Sequence, residues 1–592
     1  MYVQQLEPVA ASLGLSALVA TLPLLIVLIL LGGVRTKAHV AGLTGLLAAC
    51  LVAWLGYGMP VGQTLSSAAQ GAVFGLFPIL WIVVNALWIY RMTVRTRHFD
   101  ILRRSFGRLS DDPRIQALVV AFCFGALLEA LAGFGAPVAI CSVMLVALGF
   151  DPVRAAVVAL VANTAPVAFG AMGTPVVTLA QVTELPLDTV ASVVGRQTPL
   201  LALVVPLLLV GLVDGRRGLR DTWVPALVCG IAFAVAQFAA SNYLSAQLAD
   251  ICAALAGAGA LVAVPHTRRP APADVRAAVL TGVRDEDAGG PGESEPAGEP
   301  EGKAPGTSDG TTFDGTDSPS APTAPSAPTT STAPATLAVR EESPDQRSEV
   351  LRAYAPYALI VVIFSVAQIP ALKDWLVRTT TKTYDWPFLY VVDQDGKPVG
   401  ANVFTWPIVS TGGTLVLIAG VCSAAVLGVH ARVAVREWAA TVYELRFAIL
   451  TVTSVLALAY VMNLSGQAAT IGHYVAAAGA GLAFLSPVLG WFGVAVSGSD
   501  TSANALFGAL QVSAAHESGL SPELLAAANS SGGVLGKMIS PQNLTIACAA
   551  VGLEGREGDL LRKVLPWSAG LLLVMCLIVV GQSSPVLDWM LP

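Results

Sequence analysis

The chain has 592 residues, 55% hydrophobic and 12% charged, with a formal net charge of −6 and a mean hydropathy of +0.70. A soluble domain carries about 25% charged residues, so a water-soluble globular class is excluded. Apolar runs of about 20 residues, the length that crosses a bilayer, recur along the chain, and no basic block with interleaved aromatics suggests nucleic acid.

The N-terminal "MYVQQLEP" has no basic region, and the apolar run from Ala11 to Leu31 is too long for a signal-peptide core. It reads as a retained first span. Apolar runs at 39–56 and 70–90 follow. Then comes "RMTVRTRHFDILRRSFGRLSDDPR", with seven arginines and no lysine. Basic loops stay in the cytoplasm, which places this loop inside together with "DGRRGLR" (214–220), "HTRR" (266–269), "HARVAVRE" (430–437) and "EGREGDLLRK" (554–563). Both termini then fall outside. The eight cysteines are scattered through apolar runs without CxxC spacing, and read as small buried hydrophobes. The six histidines are equally dispersed, so neither a metal site nor a cofactor is expected.

Residues 267–349 differ in kind. "GTDSPSAPTAPSAPTTSTAPAT" is Pro/Ser/Thr/Ala low complexity flanked by acidic residues. It lacks the apolar surface that would offset chain entropy, and is expected to be a disordered cytoplasmic linker. It divides a first transmembrane half, 1–266, from a second, 350–592.

The halves share a pattern. "NTAPVAFGAMGTP" begins at Asn163 and "NSSGGVLGKMISP" at Asn529; aligned, Asn163 meets Asn529, Gly170 meets Gly536, Met172 meets Met538 and Pro175 meets Pro541, each at an offset of 366 (529 − 163). Upstream, "LAGFGAP" (131–137) and "VSGSDTS" (496–502) are Gly-containing breaks in apolar runs, and Gly133 and Gly498 differ by 365 (498 − 133).

The arms on either side of "GFGAP" are too short for two full spans. A re-entrant hairpin over 115–150 fits, with a second over 482–512. Each is followed by a segment that Pro and Gly should unwind in mid-membrane, 155–180 and 524–552. Unwound backbone at that depth persists only where protein or a wet cavity satisfies it. Basic-loop placement inverts one half relative to the other, the layout in which substrates bind between broken helices. The predicted fold is an all-α polytopic membrane protein of about twelve transmembrane helices plus the two hairpins, arranged as two inverted repeats.

Three charges lie at or near these breaks: Lys537, Glu129 and Asp500. Each costs about 2.5–3.5 kcal/mol at the bilayer centre, so each should face a cavity or another charge. Lys537 and half-helix N-termini make an anion site. Asp500 and Glu129 are candidate proton carriers, because an ionised carboxylate is costly in hydrocarbon. Gly133 and Gly135 at the first tip, with Asn163, Thr164, Thr501, Ser502, Asn504, Asn529, Ser540 and Gln542, supply backbone, amide and hydroxyl groups for a carboxylate or a 2-hydroxyl. A structural Lys537–Asp500 ion pair with hydroxyls capping helices is the competing account.

At "FCFGALLEALAGFGAPVAI", "NTAPVAFGAMGTP", "VGRQTP", "SGSDTSANALFGALQ" and "GKMISPQNLTIACAAVGLEGRE" the sequence closely resembles the bacterial L-lactate permease family. The likeness runs through both halves and lapses in the linker. It implies a secondary transporter in the bacterial cell membrane that imports L-lactate, D-lactate and glycolate with H⁺, has no enzymatic activity, and meets membrane lipid; a homodimer is compatible with it. The alternatives within this fold are Na⁺ coupling or another small carboxylate; outside it, a lactate sensor, or an intramembrane enzyme with His473 as its only candidate base.

Overall fold

In hydrocarbon a chain must satisfy its own backbone, which helices do locally. The computed structural model describes residues 1–264 and 346–592, apart from Arg108, Asp111, Phe134 and Asp395. Among these, 10 helices are long and apolar enough to cross a membrane, or 11 if one bent pair counts as a single span. One of the ten, Leu187–Leu244, leaves helical geometry at Asp214, Gly215 and Thr222. Its ends come together, with Arg196 Nε donating to Asn242 Oδ1 at 3.0 Å, so this stretch passes the bundle twice. Gly412–Val426 is apolar but shorter. The count therefore falls near the expected twelve. Most of the predicted linker lies outside the described residues, and the helix Arg347–Ala367 begins before its expected end at 349.

The bundle is dressed for lipid. Leu18, Leu47, Leu55, Val235 and Leu577 are exposed, while Gln70, Asn85, Gln197, Gln237, Asn504 and Gln511 are buried. Of the cysteines expected inside, Cys422 is exposed, because its helix turns that face outward.

Charged contacts join several of the described basic segments to their neighbours. Arg91 pairs with Glu437 and Glu444, and Arg95 with Glu437. Buried Arg114 pairs with Asp112 at 2.9 Å and with Asp214 and Asp221 at 3.2 Å. Tyr2–Val3 pairs in parallel with Val391–Val392, and Thr381–Asp385 pairs antiparallel with Val403–Pro407.

Eight helices carry the breaks that the site is built on. α1 (Pro113–Ala132) and α2 (Ala136–Ala147) meet at a turn where Gly133 and Gly135 take φ 39° and 86°, values that favour glycine. α3 (Pro152–Ala162), N-capped by Asp151, is bent by 65° from α4 (Val167–Val182). α5 (Leu482–Ser497) and α6 (Asp500–Ser518) meet at Gly498, φ 74°, with Ser499 capping α6. α7 (Pro522–Gly536) runs into a 3₁₀ turn, Lys537–Ile539, and then α8 (Pro541–Ala550).

The offset of 366 has a structural counterpart. Ala171, Met172 and Gly173 of α4 are left-handed, at φ 45°, 59° and 73°. Shifted by 366 they fall on Lys537–Ile539, the non-α turn between α7 and α8. Pro175 and Pro541 follow at equivalent places. The first half carries an additional interruption at Asn163–Pro166. Asn529, its sequence equivalent, sits inside α7 instead.

Candidate functional site

Lys537 is placed at the helix break by what surrounds it. Gly536 packs so closely that a Cβ there would lie 2.8 Å from the Ala495 nitrogen. Pro541 has no N–H to give the preceding turn, and Ser540 Oγ caps α8 by accepting from Asn543 N at 3.4 Å. The lysine side chain then points inward. Its Nζ meets Glu129 Oε1 of α1 at 2.5 Å, and both residues are buried. The ion pair joins the two halves across a separation of 408 residues. Space for Glu129 comes from Gly170, where a Cβ would lie 2.7 Å from Oε1. Glu129 Oε2 is buried without a partner among the described residues.

A cavity adjoins this pair. Both tips and both broken helices line it, through Glu129, Gly133, Gly170, Ala171, Gly498, Asp500, Thr501, Lys537 and Gln542. Water centres have ≈ 50 Å³ in it, room for a few waters. Two non-glycine residues of α4, Ala171 and Met172, adopt the left-handed backbone here. Such strain costs about 1–3 kcal/mol per residue and persists where the surroundings fix it.

Asp500 opens α6 and is buried. Its Oδ2 accepts from Ser530 Oγ at 2.7 Å and from Asn504 Nδ2 at 3.4 Å, while Oδ1 has no partner among the described residues. Asn504 Nδ2 also donates to the Pro175 carbonyl at 3.1 Å, tying α6 to the first broken helix. Asn529 Nδ2 donates to Asn504 Oδ1 at 2.9 Å, and Gln511 Nε2 stands 3.4 Å from Asn529 Oδ1. This chain of amides supports Asp500 from behind.

Six of the expected residues therefore share the cavity: Lys537, Glu129, Asp500, Thr501, Gly133 and Gln542. Asn163 and Thr164 approach Lys537 from its other side, in a cleft with Asn543. The rest stand back. Asn504 and Asn529 belong to the amide chain. Ser540 caps α8 and donates to the Lys537 carbonyl at 2.9 Å. The Ser502 backbone N–H bonds to the Ser499 cap at 3.2 Å. Gly135 faces α8, where a Cβ would sit 3.1 Å from Asn543 Oδ1. The Lys537–Asp500 pair weighed above is replaced by Lys537–Glu129. His473 stands 3.2 Å from Glu517, on a partly exposed surface.

Sequence reasoning missed Ser530, Gly170, Gln237 and Asp250. Asp250 opens an apolar run, a place where an acidic residue reads as an ordinary helix start. Gly170 was noticed as a helix breaker and not as room for a carboxylate.

The model of the family described as L-lactate permease matches residues 16–272 and 327–584. The chain belongs to the L-lactate permease family. The unmatched residues, 273–326, fall inside the predicted linker. Among curated relatives, the L-lactate permease of Bacillus subtilis (strain 168) is 40% identical over 100% of both chains. The glycolate permease GlcA of Escherichia coli (strain K12) is 37% identical over 94% of this chain and 93% of its own. A solved structure, the Alcanivorax borkumensis YdaH transporter, overlaps 82% of this chain and 88% of its own at 17% identity and a TM-score of 0.30. Membership in the L-lactate permease family makes this chain a multi-pass bacterial membrane transporter and not an enzyme.

Proposed function

We propose that this permease imports L-lactate, and with it D-lactate and glycolate, by proton symport, using Glu129 and Asp500 as the proton-binding groups. The names of the relatives support L-lactate and glycolate; D-lactate is proposed from its likeness to them. The single observation that carries the coupling is the buried Lys537–Glu129 pair beside a cavity shared by both tips. In the empty site the ammonium is occupied by Glu129. A proton on Glu129 removes that partner, and Lys537 is left to take a substrate carboxylate. Without substrate, the protonated state leaves a buried, unpaired ammonium, which is strongly unfavourable. Without the proton, the anion finds Lys537 already engaged and two carboxylates nearby. Proton and lactate therefore bind well only together, and the loaded site approaches neutrality, which lowers the cost of moving it past hydrocarbon.

The N-termini of α6 and α8 flank the cavity and add partial positive charge for the carboxylate. Thr501 and Gln542 offer polar groups to the 2-hydroxyl. A cavity this small favours a short hydroxy acid over a dicarboxylate. We further read 1–266 and 350–592 as inverted repeats joined by the 267–349 linker. Their hairpins would enter from opposite faces, one from the end that carries the basic loops and one from the other end.

The test is uptake of labelled L-lactate by proteoliposomes containing the purified protein. An inward proton gradient should drive accumulation, and a protonophore should abolish it. Accumulation driven by a Na⁺ gradient and indifferent to the protonophore would reject proton symport.

A further inference from the structure

A third carboxylate lies deep in the bundle beyond the cavity. Asp250 opens the helix Ala249–Ala263 and is fully buried. Gln237, on the neighbouring pass, is fully buried as well. Its Nε2 donates to Asp250 Oδ1 at 3.1 Å and to the Ala165 carbonyl at 3.3 Å. Ala165 lies in the interruption between α3 and α4. The Gln237 amide thus spans from an acid to the open backbone of the first broken helix. Two acceptors fix which end of the amide carries the nitrogen.

The remaining atoms do not balance if Asp250 is ionised. Asp250 Oδ2 and Gln237 Oε1 are both buried without a partner among the described residues. They are two acceptors with no donor, on two side chains already joined by one hydrogen bond. The charges do not balance either. Lys537 is already engaged by Glu129, and fully buried Asp250 is met by a neutral amide, Gln237 Nε2, at 3.1 Å. An ionised Asp250 would be a third buried carboxylate, after Glu129 and Asp500, set against the ammonium of Lys537. A single proton on Asp250 Oδ2 removes the excess charge and supplies the donor that the two side chains lack.

We propose that Asp250 is a resident proton-binding site, a neutral carboxylic acid that braces the first helix break through Gln237 and the Ala165 carbonyl. This goes beyond the symport reading and does not depend on it, because this proton stays in place while the substrate moves. Asp250 is here a positioning residue. Its acid group sets the Gln237 amide, and the amide holds the backbone from which α4 continues to Gly170, beside Glu129.

Infrared difference spectroscopy of the purified full-length protein at neutral pH, wild type against Asp250→Asn, tests the proton directly. The wild type should show a protonated-carboxyl carbonyl band that the variant lacks. A carboxylate band lost in its place would overturn the proposal. Asp250→Asn keeps a neutral side chain whose NH₂ supplies the missing donor. It should therefore keep wild-type melting and wild-type uphill uptake of L-lactate in proteoliposomes. Asp250→Ala should lose both, since the Gln237 amide is left without its acid. Loss of uphill uptake in Asp250→Asn with melting intact would mean that Asp250 must ionise, and would also overturn the proposal. If the wild type itself is not driven by protons, symport fails while the infrared result still decides this inference.

Discussion

Replacing Glu129 by Gln removes one charge of the buried pair and leaves Lys537 in place. Breaking such a pair from one side costs about 3–5 kcal/mol, because the remaining charge is uncompensated. The low end applies here, since an amide oxygen can still accept from the ammonium that Glu129 now meets at 2.5 Å. The cost falls on the empty site alone. Once a lactate carboxylate pairs with Lys537, the ammonium is compensated again. About 3 kcal/mol of differential stability then appears as tighter lactate binding, roughly a hundredfold in Kd. Two further results follow from the same reasoning. Binding to Glu129→Gln should lose most of the pH dependence that the wild type shows, and a proton gradient should no longer drive accumulation although exchange of labelled for unlabelled lactate persists. The assay is L-lactate titration of purified wild type and variant across a pH series, with melting followed in parallel. The variant should melt lower than wild type when empty and recover most of the difference in saturating lactate. Unchanged or weaker lactate binding in Glu129→Gln would refute the idea that Glu129 and the substrate compete for Lys537.

Asp500→Asn is expected to remain in the membrane, to exchange lactate, and to lose uphill uptake in proteoliposomes, because one of the two proton-binding groups is gone. Gly170→Ala should act through Glu129: its Cβ would lie 2.7 Å from Oε1 and 3.0 Å from Cγ, so the carboxylate must leave Lys537, and proton-driven uptake should fall while membrane protein levels hold. Arg114→Met removes the guanidinium that pairs with buried Asp112 at 2.9 Å and should cost about 3–5 kcal/mol of stability, read as a lowered melting temperature with the lactate Kd unchanged. Gly532→Ala sets a methyl 2.5 Å from Pro487 Cα and 2.6 Å from its carbonyl carbon, so α5 must move off α7; overpacking of this kind costs about 1–3 kcal/mol, again visible in melting.

Hydropathy and glycine placement made the class and the positions of the breaks legible. The tips at Gly133 and Gly498 fall where apolar runs are interrupted, and the 366 offset aligns the left-handed stretch at Ala171–Gly173 with the 3₁₀ turn at Lys537–Ile539. Charge partners were less accessible. Lys537 sits in sequence far closer to Asp500 than to Glu129, yet it pairs with the latter, because contact between the halves depends on how two broken helices cross. Glu129 lies a turn before its tip, where a helix face and not a loop presents it. Asp250 was hidden for a different reason. An acidic residue in the first turn of a helix is favourable on ordinary grounds, so its position resembles a routine helix start, and only the burial of Gln237 beside it marks it out. Asn163 and Asn529 agree in sequence, but one ends α3 and the other lies within α7, since only the first half is interrupted a second time.

Calorimetric titration of L-lactate into the wild-type protein, repeated in buffers of differing ionisation enthalpy, measures how many protons enter with the anion. Competition between Glu129 and lactate for one ammonium predicts net proton uptake with each lactate bound, abolished or reduced in Glu129→Gln. Lactate binding that takes up no proton in any buffer would contradict it.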